Sequence, residues 1–101
     1  MRMLLNVHLP HEPFSEYVRQ GTIGAIMQEI LEEIKPEATY FTEHNGNRSM
    51  VMIVDVVTPD RVPVFAEPWF LRFKAQCEFR IIMDPVDLQR AGLKELGQKW
   101  S

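Results

Sequence analysis

The stretch 38-ATYFTEHNGNRSMVMIVDVV-57 decides the fold. It holds two matched β-runs, Ala38 to Glu43 and Ser49 to Val57, joined by His44-Asn45-Gly46-Asn47. Asn-Gly between apolar runs predicts a hairpin, because a type I′ turn needs positive φ at both central positions and these two residues tolerate it. Within the second run Met50, Met52, Val54 and Val56 share one face, and Val51, Ile53 and Asp55 share the other.

Working outward from the hairpin, the same alternation recurs at Arg2 to Leu9, where Met3, Leu5, Val7 and Leu9 form an apolar row and Leu4, Asn6 and His8 a mixed one. His11-Glu12-Pro13 breaks that strand. A short helical segment over Ser15 to Gln20 ends at Gly21, and Thr22 is placed to cap a longer helix. In that helix Ile23, Met27, Ile30 and Ile34 recur at three- and four-residue spacing, widened by Ile26 and Leu31, until Lys35-Pro36 stops it. Beyond the hairpin, Asp60 is a capping residue for a short turn to Ala66. A fresh helix is expected to start at Glu67-Pro68, because proline inside a continuous helix costs about 3 kcal/mol. Cys77 to Met83 reads as a fourth strand with Cys77, Phe79, Ile81 and Met83 on one face and Glu78, Arg80 and Ile82 on the other. Asp84-Pro85-Val86-Asp87 opens a last helix whose narrow stripe is Leu88, Leu93, Leu96 and Trp100.

A chain of 101 residues, 46% hydrophobic and 25% charged, is long enough for one core and too short for two, so residues 1–101 form a single domain. Its net charge of -3 lacks the clustered Lys and Arg that nucleic-acid binding requires. The apolar N-terminal residues are broken by Asn6, His8 and Pro10, and no run approaches a membrane span, so neither membrane nor secretion is expected and cytoplasm follows. Cys77 alone makes no internal disulfide and reads as a small buried hydrophobe.

The order β-α-β-β-α-β-α, with right-handed crossovers, predicts an α+β ferredoxin-like βαββαβ domain with an extra C-terminal helix. Its four-stranded antiparallel sheet has order 4-1-3-2, with both crossover helices on one face. The other face carries Leu4, Val51, Ile53 and Ile82, too apolar to be left in water. This pattern resembles the dimeric α+β barrel superfamily. Val18-Arg19-Gln20-Gly21-Thr22, Lys35-Pro36-Glu37-Ala38, Ala66-Glu67-Pro68-Trp69-Phe70-Leu71 and Asp87-Leu88-Gln89-Arg90-Ala91-Gly92 look like a small, uncharacterised bacterial family within it. The resemblance implies a homodimer through the open sheet faces, with a space enclosed between them. Some relatives carry names pointing to pantothenate synthesis, but a nucleotide-activating ligase needs a phosphate cradle, and Gly21-Thr22-Ile23-Gly24 lacks the following Gly or Lys.

If the apolar rows face the helices, the open face displays Asn6, His8, Val51, Ile53, Asp55, Glu78 and Arg80, joined by Tyr40 and Thr42 if their strand faces the same way. Phe41 on the alternate row leaves that facing open. His8 is the candidate for proton transfer, since the unperturbed imidazole titrates nearest neutrality. The alternative is a histidine at a strand end, hydrogen-bonded or solvated. Asn6, Tyr40, Asp55, Glu78 and Arg80 are the candidate ligand-binding groups, Arg80 because its planar fork suits a carboxylate. Glu78 and Arg80, two apart on one face, also simply pair. His8, His11 and His44 are scattered along the chain without metal-ligand spacing, and no cofactor motif is present, so neither metal nor cofactor is expected. The first expectation is a small-molecule-binding domain. The second is a cofactor-independent enzyme, of isomerase or monooxygenase type, acting on a small organic acid or aromatic substrate through His8.

Overall fold

Alternation along strand β1 (Arg2–Leu9) buries Leu5, Val7 and Leu9 almost completely, while Leu4, Asn6 and His8 stay half-buried on the other side. The computed structural model describes residues 1–101. After β1 come helices α1 (His11–Gln20) and α2 (Ile23–Ile34), strands β2 (Ala38–His44) and β3 (Asn47–Asp55), and a 3-10 turn at Pro59–Arg61. Helix α3 (Val62–Phe73), strand β4 (Gln76–Ile81) and helices α4 (Pro85–Arg90) and α5 (Leu93–Trp100) complete the chain.

The protein is a mixed α+β structure on one antiparallel four-stranded sheet of order β2-β3-β1-β4, which counted from the other edge reads 4-1-3-2. Asn45 at φ 51 and Gly46 at φ 80 make the β2–β3 connection a two-residue turn, tighter than the four-residue link expected from sequence. Register then follows from the turn: Val51 lies opposite Tyr40 and Asn6, and Met50 opposite Phe41 and Val7. Tyr40, Thr42 and His44 therefore share the face of Asn6 and His8, and Phe41 the face of Met50, which settles the facing the sequence left open.

Helices α1, α2 and α3 supply the other wall of the core. Met27, Ile30 and Ile34 of α2 and Phe65, Trp69 and Phe73 of α3 pack with Leu5, Val7, Leu9, Met50, Met52 and Val54. Full burial of Trp69 and Phe73 stabilises by roughly 1.5–3 kcal/mol each. Part of Trp69's gain is offset because its buried indole N–H has no partner. Helix α1 is held by two side-chain ties. The Tyr17 hydroxyl donates to the Arg72 carbonyl at 2.7 Å, and Arg48 lies 4.4 Å over the Phe14 ring while donating to Ser15 Oγ at 3.0 Å.

Four expectations are corrected. Thr22 precedes α2 without a side-chain cap, and Asp60 lies inside the 3-10 turn instead of capping a helix. Helix α3 runs unbroken through Pro68, where a fresh start was expected. The proline cost is outweighed there because breaking the helix would pull Phe65 and Ala66 off the core that Trp69 and Phe73 also occupy. The last helix is two helices, since Gly92 at φ 72 turns the chain between α4 and α5. Its start is as read: the Asp84 side chain accepts from Asp87 N and the Asp87 carboxylate from Asp84 N, a reciprocal cap with Pro85 at the first turn.

Pro68→Ala restores an N–H to a helix interior that lacks one. Thermal denaturation should show the variant stabilised, by about 1 kcal/mol or more; an unchanged or lowered Tm would mean that Pro68 is fitted to α3 at no cost.

Candidate functional site

The face of the sheet away from the helices is where polar side chains gather, and register decides which ones. Asn6, Val51, Tyr40 and Glu78 form one row across the four strands, and His8, Ser49, Thr42 and Gln76 form the next. His44, opposite Asn47, extends the face one row further toward the hairpin. Arg80 lies opposite Leu4 in the row on the other side.

His8 is the centre of this surface. Its Nε2 lies within hydrogen-bond reach of Glu78 Oε1 on β4, and its Nδ1 is 3.3 Å from Ser49 Oγ on β3. The imidazole is mostly covered, at 17% side-chain exposure, and Ser49 beneath it is 3% exposed. His44 stacks against it with ring centroids 4.1 Å apart and planes inclined by 32°. The Asn45 carboxamide meets His44 Nε2 at 3.2 Å. Arg80 lies 3.8 Å from the second Glu78 oxygen and is mostly exposed.

These contacts let His8 change charge without orphaning a neighbour. When the ring is neutral, Nε2–H donates to the Glu78 carboxylate and Nδ1 accepts from the Ser49 hydroxyl. When it is protonated, both nitrogens donate, and the Ser49 hydroxyl turns to the Val7 carbonyl, 3.2 Å away. A serine so buried, with its hydroxyl engaged on both sides, orients the ring; it is not displayed as a nucleophile. The chemistry on offer is proton transfer at His8.

Two adjoining hollows carry this surface. One, of about 380 Å³, is lined by Asn6, His8, His44, Ser49, Glu78 and Arg80 together with Thr42, Glu43 and Val51. The other, of about 290 Å³, shares His8 and His44 and reaches Lys74 and Gln76 at the hairpin end of the sheet. The first sits at the small end of the range for organic ligands. Its floor is polar, with Val51 the one hydrophobic side chain.

Of the residues singled out from sequence, Asn6, His8, Glu78 and Arg80 come together here. Tyr40 lies on the same face in the row of Asn6 and Glu78 but stands exposed outside the hollow. Asp55 is at the far end of the sheet, where its carboxylate accepts from the Met1 amine at 3.1 Å. Sequence reading missed Ser49 as a partner of His8. It also treated His44 as scattered, whereas the hairpin folds it onto His8. Parity held the signal: Ser49 lies two before Val51, and His44 two after Thr42. No group of three His, Cys, Asp or Glu side chains is placed to hold a metal ion, and no helix is long and apolar enough to cross a membrane. Neither a family model nor a curated protein matches the chain.

The hydrogen bond from His8 holds the Glu78 carboxyl below its ordinary 4.5. Desolvation opposes this, and the charges of His8, Arg80 and His44 add to it. A carboxyl depressed in the folded state stabilises the fold above its unfolded pKa and loses that contribution as pH falls through the folded value. Glu78→Gln should therefore lower Tm at pH 7, with the gap to wild type closing below about pH 4. On the helix side of the same strand, burial and then the Glu67 charge push the Cys77 thiol up to about 12. Iodoacetamide at pH 8 should label Cys77 at least ~100-fold more slowly in the native protein than in denaturant.

Proposed function

We propose that this chain is a ferredoxin-like domain of the dimeric α+β barrel kind, with a helix pair in its first crossover, and that it binds a small organic acid on its open sheet face. The observation that carries the reading is the arrangement around His8: a mostly covered imidazole on the floor of a polar hollow, with the Arg80 guanidinium at the rim. A carboxylate set against Arg80 would form a charge-assisted contact, and its remaining atoms would rest on Asn6, Val51 and His8. The hollow is open to solvent in a single chain. A second sheet packed over Leu4, Val51 and Ile53 would close it and exclude water, which supports a homodimer as the binding form.

A second reading is favoured by one feature, the Ser49–His8–Glu78 chain of contacts. It allows His8 to take a proton from a bound substrate and return it at another atom, the step an isomerase needs without cofactor. Tyr40 and Asp55, in this reading as in the first, are left outside the chemistry.

The two readings part in one experiment. A thermal-shift panel of small carboxylic acids and aromatics should give at least one ligand that stabilises the wild type, and Arg80→Ala should weaken it about tenfold or more. His8→Ala should bind that ligand within a few-fold of wild type. If chemical conversion is seen with wild type and lost in His8→Ala, the enzyme reading stands. If no conversion accompanies binding, the binding domain stands. A panel without any ligand sensitive to Arg80 removes both.

A further inference from the structure

The segment after β4 is built to leave its own domain. The radius of gyration is 17.2 Å, against about 13 Å for a compact chain of this length, and the long axis measures 60 Å beside 28 and 19 Å. Neither α4 nor α5 buries a residue. Seven of the fourteen large hydrophobic side chains that are exposed lie between Ile81 and Trp100, a fifth of the sequence, and Trp100 is 76% exposed. Helices of six and eight residues are too short to persist in water without packing on something.

Three observations say what that something is. The start of the arm is fixed, because the reciprocal cap of Asp84 and Asp87 and the restricted φ of Pro85 set how α4 departs from β4. The exposed area, 7110 Å², exceeds by about 1200 Å² the value near 5900 Å² typical of a compact 11.8 kDa monomer. That excess is somewhat more than the roughly 800 Å² each partner contributes to a stable interface. Finally, β4, from which the arm departs, is one of the two edges of the sheet, and the other edge, β2, exposes Tyr40 and Phe41 at 67% and 62%. Two copies placed so that the β4 edge of each meets the β2 edge of the other leave no free edge, and each arm then arrives beside the partner's β2, whose Phe41 stands exposed on the helix side.

We propose that residues 84–101 form an exchange arm that lays Leu88, Leu93, Leu96 and Trp100 on Phe41 of a second copy, on the helix side of its sheet, where Phe41 borders Met27 and Leu31. The proposal rests on the dimer reading above and adds the element that clasps it. The arm covers the partner's exposed Phe41 while the partner covers the arm's apolar stripe. Both helices are held by that exchange.

Sedimentation and iodide quenching on the full chain test it together. Trp69 is fully buried, so quenching reports Trp100. The wild type should sediment as a dimer at 50 μM with Trp100 shielded, and dilution to the monomer should restore quenching. Leu93→Glu combined with Leu96→Glu, at exposed positions where folding of the core is untouched, should weaken dimerisation at least tenfold and expose Trp100 at 50 μM. Phe41→Asp should do the same. A dimer that survives the double variant, with Trp100 as quenchable as before, overturns the arm and leaves the dimer standing. Trp100 shielded in a monomer means that the arm folds onto its own chain and overturns the exchange. A wild type that stays monomeric with Trp100 open to iodide at 50 μM removes the arm and the dimer alike.

Discussion

The pairing of Val7 with Met50 is the constraint on which the rest depends. These two residues are fully buried and lie side by side on β1 and β3, in the same core cluster as Trp69 and Phe73. Because side chains alternate with period two, a slip of one residue would carry Leu5, Val7 and Leu9 into water and drive Asn6 and His8 into the core. Several side chains fully buried on the helix side, at about 1.5–3 kcal/mol each, hold that register against the alternative. The polar surface is thus a by-product of hydrophobic burial. His8 meets Ser49 because Val7 must meet Met50.

Much of this is legible in the amino-acid sequence. The Asn45-Gly46 turn, the apolar rows and the four strands follow from local chemistry, and their parity puts Asn6, His8, Glu78 and Arg80 on one surface. What is not legible depends on distance and on competition. Asp55 has the right parity but lies six residues along β3 from Ser49, roughly 20 Å at the rise of a strand, so it shares the face without sharing the site. His44 is far from His8 in sequence and becomes its neighbour only through the length of the turn. A two-residue loop extends β2 by one residue and folds the ring over. Pro68 shows the opposite limit: the rule that proline ends a helix is local, and buried aromatic residues on either side overrule it.

Electrostatics divide the two faces of β4 as sharply as packing does. Glu78 and Arg80 point to the open side, where water and His8 keep the carboxylate ionised. On the alternate positions, Cys77 and Phe79 point to the helices, where burial keeps the thiol protonated. One six-residue strand therefore carries a charged surface and an inert one.

The hydroxyl of Ser49 also sets a tempo. The Val7 carbonyl and the His8 ring beside it are placed by strand pairing, so a change of charge at His8 asks only for rotation about one C–O bond. Such rotations take picoseconds to nanoseconds, whereas collective domain motions take microseconds or longer. A proton arriving at His8 is accommodated by a floor that does not have to rearrange, so a change of charge there is not slowed by the fold.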